Sequence, residues 1–189
     1  MRRRLYIMAK APIMGRAKTR LAADIGVTHA KRIYRQMMSQ VIRNVKDPRW
    51  DTVLAVTPPS AMGQVPEWKG TEQIPQVPGS LSPRLAAIFH YNGPTAVIGT
   101  DCPQVGAPDI ALAFKALKSH RAVFGPADDG GFWLMGMNGP ISSKVFDNVR
   151  WSHAQTLADI TRNIGGPVYK LRTLTDVDDL KALRASRRN

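Results

Sequence analysis

Short apolar runs alternate along this chain with longer amphipathic stretches. Residues 5–9, 52–56, 95–99 and 122–125 are mainly apolar or β-branched and too short for stable helices, so they predict buried strands. Residues 132–137, closely bounded by glycines, predict a further strand, antiparallel or at an edge, and residues 168–171 a sixth. Between them the spacing turns helical. Thr28 is the expected N-cap of a helix reaching Lys46, with Ile33, Met37, Val41 and Val45 near one face. Ser82-Pro83 opens a helix through Phe89, and Pro108 opens another through Leu117. Ser152 is read as the cap of a helix holding Leu157, Ile160 and Ile164, which Gly165-Gly166 ends, and Asp176 as the cap of a last one. Residues 58–78, rich in proline and glycine, read as the most mobile loop.

Strand and helix in alternation are the signature of an open α/β sheet, mostly parallel, twisted and covered by helices on both faces. At 189 residues, with 43% apolar residues and no repeat or linker, the expectation is one domain spanning residues 1–189. Lys10 interrupts the apolar start before a signal-length segment forms, and no run approaches the ~20 apolar residues of a membrane helix. Cys102 is the only cysteine, which excludes an intrachain disulfide and fits a reducing, cytoplasmic setting.

Charge changes the picture. The net charge is +13, yet residues 1–46 hold twelve Lys or Arg against one acid, Asp24, and so carry +11 of it. A local excess suggests an anion site rather than a general polyanion surface. Arg2, Arg3 and Arg4 read as a solvated terminus.

Ligands of such sheets bind beyond the carboxyl ends of the strands, and three of those ends carry polar clusters. After the first strand come Lys10, Ala11, Pro12, Gly15, Arg16, Lys18 and Arg20, a basic loop running into a helix, suited to cradling polyphosphate. It lacks the Walker A spacing and reads equally well as a basic surface turn. The fourth strand delivers Thr100 and Asp101 into a loop, a common way to hold a hard divalent cation over phosphates, although an aspartate there can also simply turn the chain. Cys102 reads as a packing residue. The fifth strand ends in Asp128, Asp129, Gly130 and Gly131, where glycines would let a ligand approach the backbone, or where Asp-Gly would make an ordinary hairpin. His153, at an expected helix start, is in reach of a ligand; His29, His90 and His120 read as structural.

The segments KAPIMGRAKTRLA, IGTDCPQV and GPADDGGFWLMG, in that order, resemble the small bacterial GT-A-type proteins labelled arsenosugar-biosynthesis or uncharacterised glycosyltransferases. The first segment also looks like the basic loop of the guanylyltransferases that activate phospholactate. The resemblance runs to TDVDDL and implies a Rossmann-like GT-A, or nucleotide-diphospho-sugar transferase, domain using Mg²⁺ or Mn²⁺. It places Lys10, Arg16, Lys18 and Arg20 on the phosphate side and Asp101 on the metal. Asp129, Gly130 and Gly131 face the transferred group, and Arg84 lies in a pocket-lining helix start. Met14 and His153 depart from its usual residues.

The functional expectation is glycosyl transfer from a nucleoside-diphosphate sugar, with Asp129, or else Asp128, as general base. The alternative is nucleotidyl transfer from a nucleoside triphosphate with release of pyrophosphate. A nucleic-acid-binding module is a third class, but Tyr6 and Tyr34 are the only aromatics among residues 1–46, too few for stacking. The partners expected are therefore a nucleotide or nucleotide sugar, with no nucleic acid and no membrane. Oligomeric state is not readable.

Overall fold

Strands here are buried on both faces, which is why they read as continuous apolar runs. In β1 (Arg4–Lys10), Leu5, Ile7 and Ala9 pack into one core layer and Tyr6 into the other. The computed structural model describes residues 1–14 and 18–186. After β1 come α1 (Thr19–Ile25), α2 (Val27–Asn44), β2 (Asp51–Thr57), β3 (Glu72–Pro75), α3 (Leu81–Ile88) and β4 (Pro94–Ile98). The second half holds α4 (Ala107–Ala116), β5 (Ala122–Pro126), β6 (Phe132–Asn138), α5 (Thr156–Ile164), β7 (Val168–Lys170) and α6 (Leu180–Ser186).

The seven strands form one sheet in the order β3-β2-β1-β4-β6-β5-β7. Every neighbouring pair is parallel except the two that involve β6. This is a Rossmann-like, mostly parallel α/β architecture. On one face α2 contributes Tyr34, Met38, Val41 and Ile42, and α4 contributes Ile110, Ala113 and Phe114. On the other, α3 buries Leu85 and Ile88, and α5 buries Ile160 and Ile164. A smaller cluster ties α1, α2 and α6 through Leu21, Met37 and Leu183. No helix among the described residues is long and apolar enough to cross a membrane.

Several local expectations need correction. Residues 58–78 contain two short 3₁₀ turns and the edge strand β3, which pairs with β2. Only Trp68 of that segment is fully buried, so an edge strand left no apolar run to read. β6 is antiparallel but internal, because the 127–131 turn folds it back between β5 and β4. Helix caps shift by a few residues: Gly26 rather than Thr28 precedes α2, and Ser80 rather than Ser82 precedes α3. Ser152 lies in a turn at φ 54°, before Gln155 precedes α5. Asp179, not Asp176, caps α6, accepting a hydrogen bond from the Ala182 amide at 2.8 Å. Of the first arginines, Arg2 is exposed as expected, whereas Arg3 and Arg4 are half-buried. Arg2 pairs with Asp51 at 2.8 Å, Arg3 lies over Phe114 and Arg4 over Tyr91.

Candidate functional site

Parallel pairing brings Lys10 beside Thr57 and the end of β4 beside β1, so one sheet edge gathers the loops after β1, β2, β3, β4 and β5. The antiparallel β6 adds its amino end, Phe132 and Trp133, to the same edge. Tyr34 of α2 clamps the centre. Its hydroxyl donates to the Lys10 carbonyl at 2.8 Å, and receives hydrogen bonds from the Lys10 amide and the Thr100 hydroxyl at 3.3 and 3.4 Å. Burial pushes the Tyr34 phenol up, so it stays a neutral hydrogen-bonding bridge.

Two cavities open along this edge. The first, about 360 Å³, is lined by Lys10, Lys18, Thr19, Arg20, Tyr34, Thr100, Asp101 and Asp178. The second, about 390 Å³, is lined by apolar and aromatic walls from Leu81, Leu85, Phe132, Trp133 and Trp151, with Gln76, Arg84, Asp129, Gly131, His153 and Asp176 among its polar groups. Met8, Lys10 and Asp101 line both, so the two are bays of one cleft. A cation-rich bay joined to an aromatic-walled one is a shape suited to a ligand with an anionic part and a ring-bearing part.

Lys18 is the best-defined cation. Its side chain is only 5% exposed, and its Nζ lies 2.5 Å from Asp101 Oδ1 and 2.6 Å from Asp178 Oδ1. Burial works against its charge, but the two carboxylates outweigh that and hold its pKa above the ordinary lysine value. Its backbone is left-handed at φ 52°, an uncommon conformation for a residue with a side chain, directly before α1. Lys18 therefore points at the acids rather than standing open as a simple phosphate grip.

Those acids come together through the segment after β7. Leu174 donates its amide to Pro126 and Val177 donates to Asp101, so residues 174–177 cross the sheet edge from the end of β5 to the loop after β4. That course sets Asp176 and Asp178 beside Asp101. Asp176 accepts a hydrogen bond from the Cys102 thiol at 2.8 Å. Burial and the neighbouring charges of Asp101, Asp178 and Asp129 push the Asp176 carboxyl up to about 6, against the lowering effect of the thiol bond. Burial and Asp176 push the Cys102 thiol up as well, so it is a protonated, buried group and not an activated nucleophile.

Of the other residues singled out in the sequence, Lys10, Arg20, Thr100 and Asp101 line the first bay, and Arg84, Asp129, Gly131 and His153 the second. Arg84 donates to Gln76 Oε1 at 3.1 Å, and Gln76 is itself fixed by donating to the Ala55 carbonyl at 2.7 Å. Asp129 Oδ1 accepts from the Gly131 amide at 2.8 Å, and His153 Nδ1 from the Gln155 amide at 3.0 Å. Gly15 and Arg16 lie outside the described residues. Ala11 is buried, its amide bound to the Thr57 carbonyl at 2.8 Å, and neither it nor Pro12 lines a bay.

Asp128 does not line the cleft, because its carboxylate is held by the Thr175 hydroxyl. Gly130 serves packing rather than ligand approach. It sits at φ 86°, and a Cβ there would lie 2.1 Å from the Ala154 carbonyl oxygen, while its own carbonyl accepts from the Leu157 amide of α5. The basic excess is also divided. Lys31, Arg32, Arg35 and Arg43 line a groove along the outer face of α2 instead of the cleft.

Missed at the sequence level were Tyr34, Gln76, Trp151, Asp176 and Asp178. Tyr34 lies on the buried face of an amphipathic helix, where a tyrosine reads as core. The acids of TDVDDL carried the only available signal, a cluster in a loop late in the chain.

The donor set fits a hard divalent cation. Asp101 and Asp178 already share one positive charge, that of Lys18, and both remain near half exposed, at 43% and 48%. Among the described residues no group of three His, Cys, Asp or Glu side chains has the geometry to hold a metal alone. Two carboxylates completed by phosphate and water oxygens are the usual shell for magnesium.

The same architecture occurs in solved structures of low sequence identity. A candidate nucleotide-diphospho-sugar transferase from Desulfovibrio desulfuricans G20 is 24% identical, with a TM-score of 0.89 over 100% of this chain and 89% of that one. Rv0371c from Mycobacterium tuberculosis H37Rv, in complex with manganese, is 16% identical with a TM-score of 0.55 over 98% of each chain. CMP:2-keto-3-deoxy-manno-octonic acid synthetase, complexed with CTP, is 10% identical with a TM-score of 0.56 over 100% of this chain and 98% of that one. At these identities the likeness establishes the fold. No protein of the curated set matches the chain in sequence. Residues 40–153, which carry Arg84 of α3 and the loops of Asp101 and Asp129, match the family described as uncharacterized proteins conserved in bacteria, DUF2064. That match spans more than half of the chain, and the protein belongs to this family.

Proposed function

We propose that this protein is a cytoplasmic, metal-dependent transferase that takes a nucleoside-diphosphate sugar as glycosyl donor. The observation that carries the reading is the joined cleft, in which Lys10 and Asp101 stand between a bay of cations and an aromatic-walled bay containing Asp129. The diphosphate would lie over Lys10, with Lys18 and Arg20 supplying charge-assisted hydrogen bonds to its oxygens. Mg²⁺ or Mn²⁺, held by Asp101 and Asp178, would neutralise charge on the departing diphosphate. Asp129, positioned by the Gly131 amide, would take the proton of the acceptor hydroxyl, so that the new glycosidic bond forms as the bond to the diphosphate breaks. Gly131 and His153 lie on this acceptor side. The resemblance of the three sequence segments to arsenosugar-type glycosyltransferases, and the solved structures named for a nucleotide-diphospho-sugar transferase and for manganese, support this choice.

Nucleotidyl transfer is the second reading. It is supported by the bay of Lys18 and Arg20, which excludes Asp129 and has room for the β- and γ-phosphates of a nucleoside triphosphate, and by the likeness in fold to a synthetase complexed with CTP. The two separate by product. With Mn²⁺ and a panel of nucleotide sugars and nucleoside triphosphates, release of a nucleoside diphosphate is expected. Pyrophosphate release would select the second reading, and no turnover or binding of any nucleotide would overturn both.

A further inference from the structure

Lys18 has a consequence for the form in which a cation enters the cleft. Its ammonium lies between Asp101 and Asp178, at 2.5 and 2.6 Å, and is almost wholly shielded from solvent by the protein. A divalent ion using the same two oxygens cannot share them with that ammonium, because like charges at contact distance repel strongly in a partly desolvated site. Nor can the ammonium simply leave. Burial makes an unpaired Lys18 costly, so it needs another anion to follow. The first bay, which Lys18 lines with Lys10 and Arg20, is where such an anion would be, since two further cations are already there.

We infer that the cleft takes a divalent cation only together with a polyphosphate, as a metal–nucleotide complex, and that Lys18 closes the acid pair to the free ion. On binding, the ammonium would transfer its hydrogen bonds from the two carboxylates to phosphate oxygens as the metal takes the carboxylates. Charge balances in the exchange: one cation leaves the acids, a divalent one replaces it, and the polyphosphate brings the compensating negative charge. The inference rests on the proposed metal position, and its test separates the two.

Lys18→Met keeps the stem and removes the charge. Mn²⁺ would be titrated calorimetrically into wild type and variant without nucleotide, with thermal melts verifying that each is folded. Asp178→Asn serves as a second variant in case Lys18→Met does not fold. The variant Lys18→Met should bind free Mn²⁺ about 10- to 150-fold more tightly than wild type, the range expected when charge-assisted hydrogen bonds no longer have to be broken. In Asp178→Asn, Lys18 keeps Asp101 as its partner, so free Mn²⁺ binding should stay as weak as in wild type. With a nucleoside diphosphate present, wild type should bind Mn²⁺ well and Lys18→Met should bind the nucleotide more weakly. Equal affinities for free Mn²⁺ in wild type and Lys18→Met would overturn the inference and leave the metal site standing. So would tighter free Mn²⁺ binding by wild type than by Asp178→Asn, which would show that the acid pair is open while Lys18 is in place. Absence of any Mn²⁺ effect even with nucleotide would overturn the metal site and the inference with it.

Discussion

Asp176 shows what a single residue contributes when half-buried beside like charges. Its carboxyl is raised to about 6 from an ordinary 3.8, so the folded protein holds a proton that the unfolded chain releases in between. The folded state therefore binds more protons across that interval, and stability contributed by this group falls as pH rises from about 4 to 6. The slope is at most ~1.4 kcal/mol per pH unit for one proton. Chemical denaturation at pH 4, 5, 6 and 7 should show this fall in wild type and a flatter profile in Asp176→Asn. Identical slopes in the two proteins would show that Asp176 is not the group responsible. Asp159 acts with the opposite sign. The Arg150 guanidinium holds its carboxyl well below the usual range, so the stability it contributes is present above the ordinary value of 3.8 and is lost progressively as pH falls below it.

At the scale of elements, the loop 127–131 connects the hairpin β5–β6 to the start of α5. Gly125 permits the first contact, since a Cβ there would lie 2.1 Å from the Trp133 ring, and Gly130 the second. Gly130→Ala should cost about 1–3 kcal/mol from its left-handed backbone alone, with the clash against Ala154 adding to it. Urea denaturation measures this, and a loss below ~0.5 kcal/mol would mean that neither the backbone conformation nor the contact with Ala154 constrains this position. Much of this layout was legible in advance. Runs such as residues 95–99 and 122–125 are apolar because their strands are covered on both sides, and that pattern survives without any knowledge of contacts. β3 was not legible because an edge strand is half-exposed and carries two of its four residues as Glu72 and Gln73. The caps were misplaced by two to three residues, because tertiary packing rather than the nearest Ser, Thr or Asp decides where each helix starts.

For the candidate site the limit was different. Strand-end position pointed to Lys10, Asp101 and Asp129, because the edge of a parallel sheet is defined by topology alone. Nothing local could reveal that Lys18 pairs with Asp178, 160 positions away, or that Asp128 is held by Thr175. Those are consequences of residues 174–178 crossing the sheet edge, which only the folded chain specifies.

Over the whole molecule, the account stands on one cleft in which a cation at Asp101 and a nucleotide over Lys10 bind together. By linkage each must raise the affinity of the other by the same factor. Calorimetric titration of a nucleoside diphosphate into wild type and Asp101→Asn, each with Mn²⁺ and with EDTA, measures that factor directly. Wild type should bind at least ~10-fold more tightly with Mn²⁺, a coupling of ~1.4 kcal/mol, and Asp101→Asn should remain folded while losing most of the difference. The same Mn²⁺ dependence in both proteins, or none in either, would contradict the account.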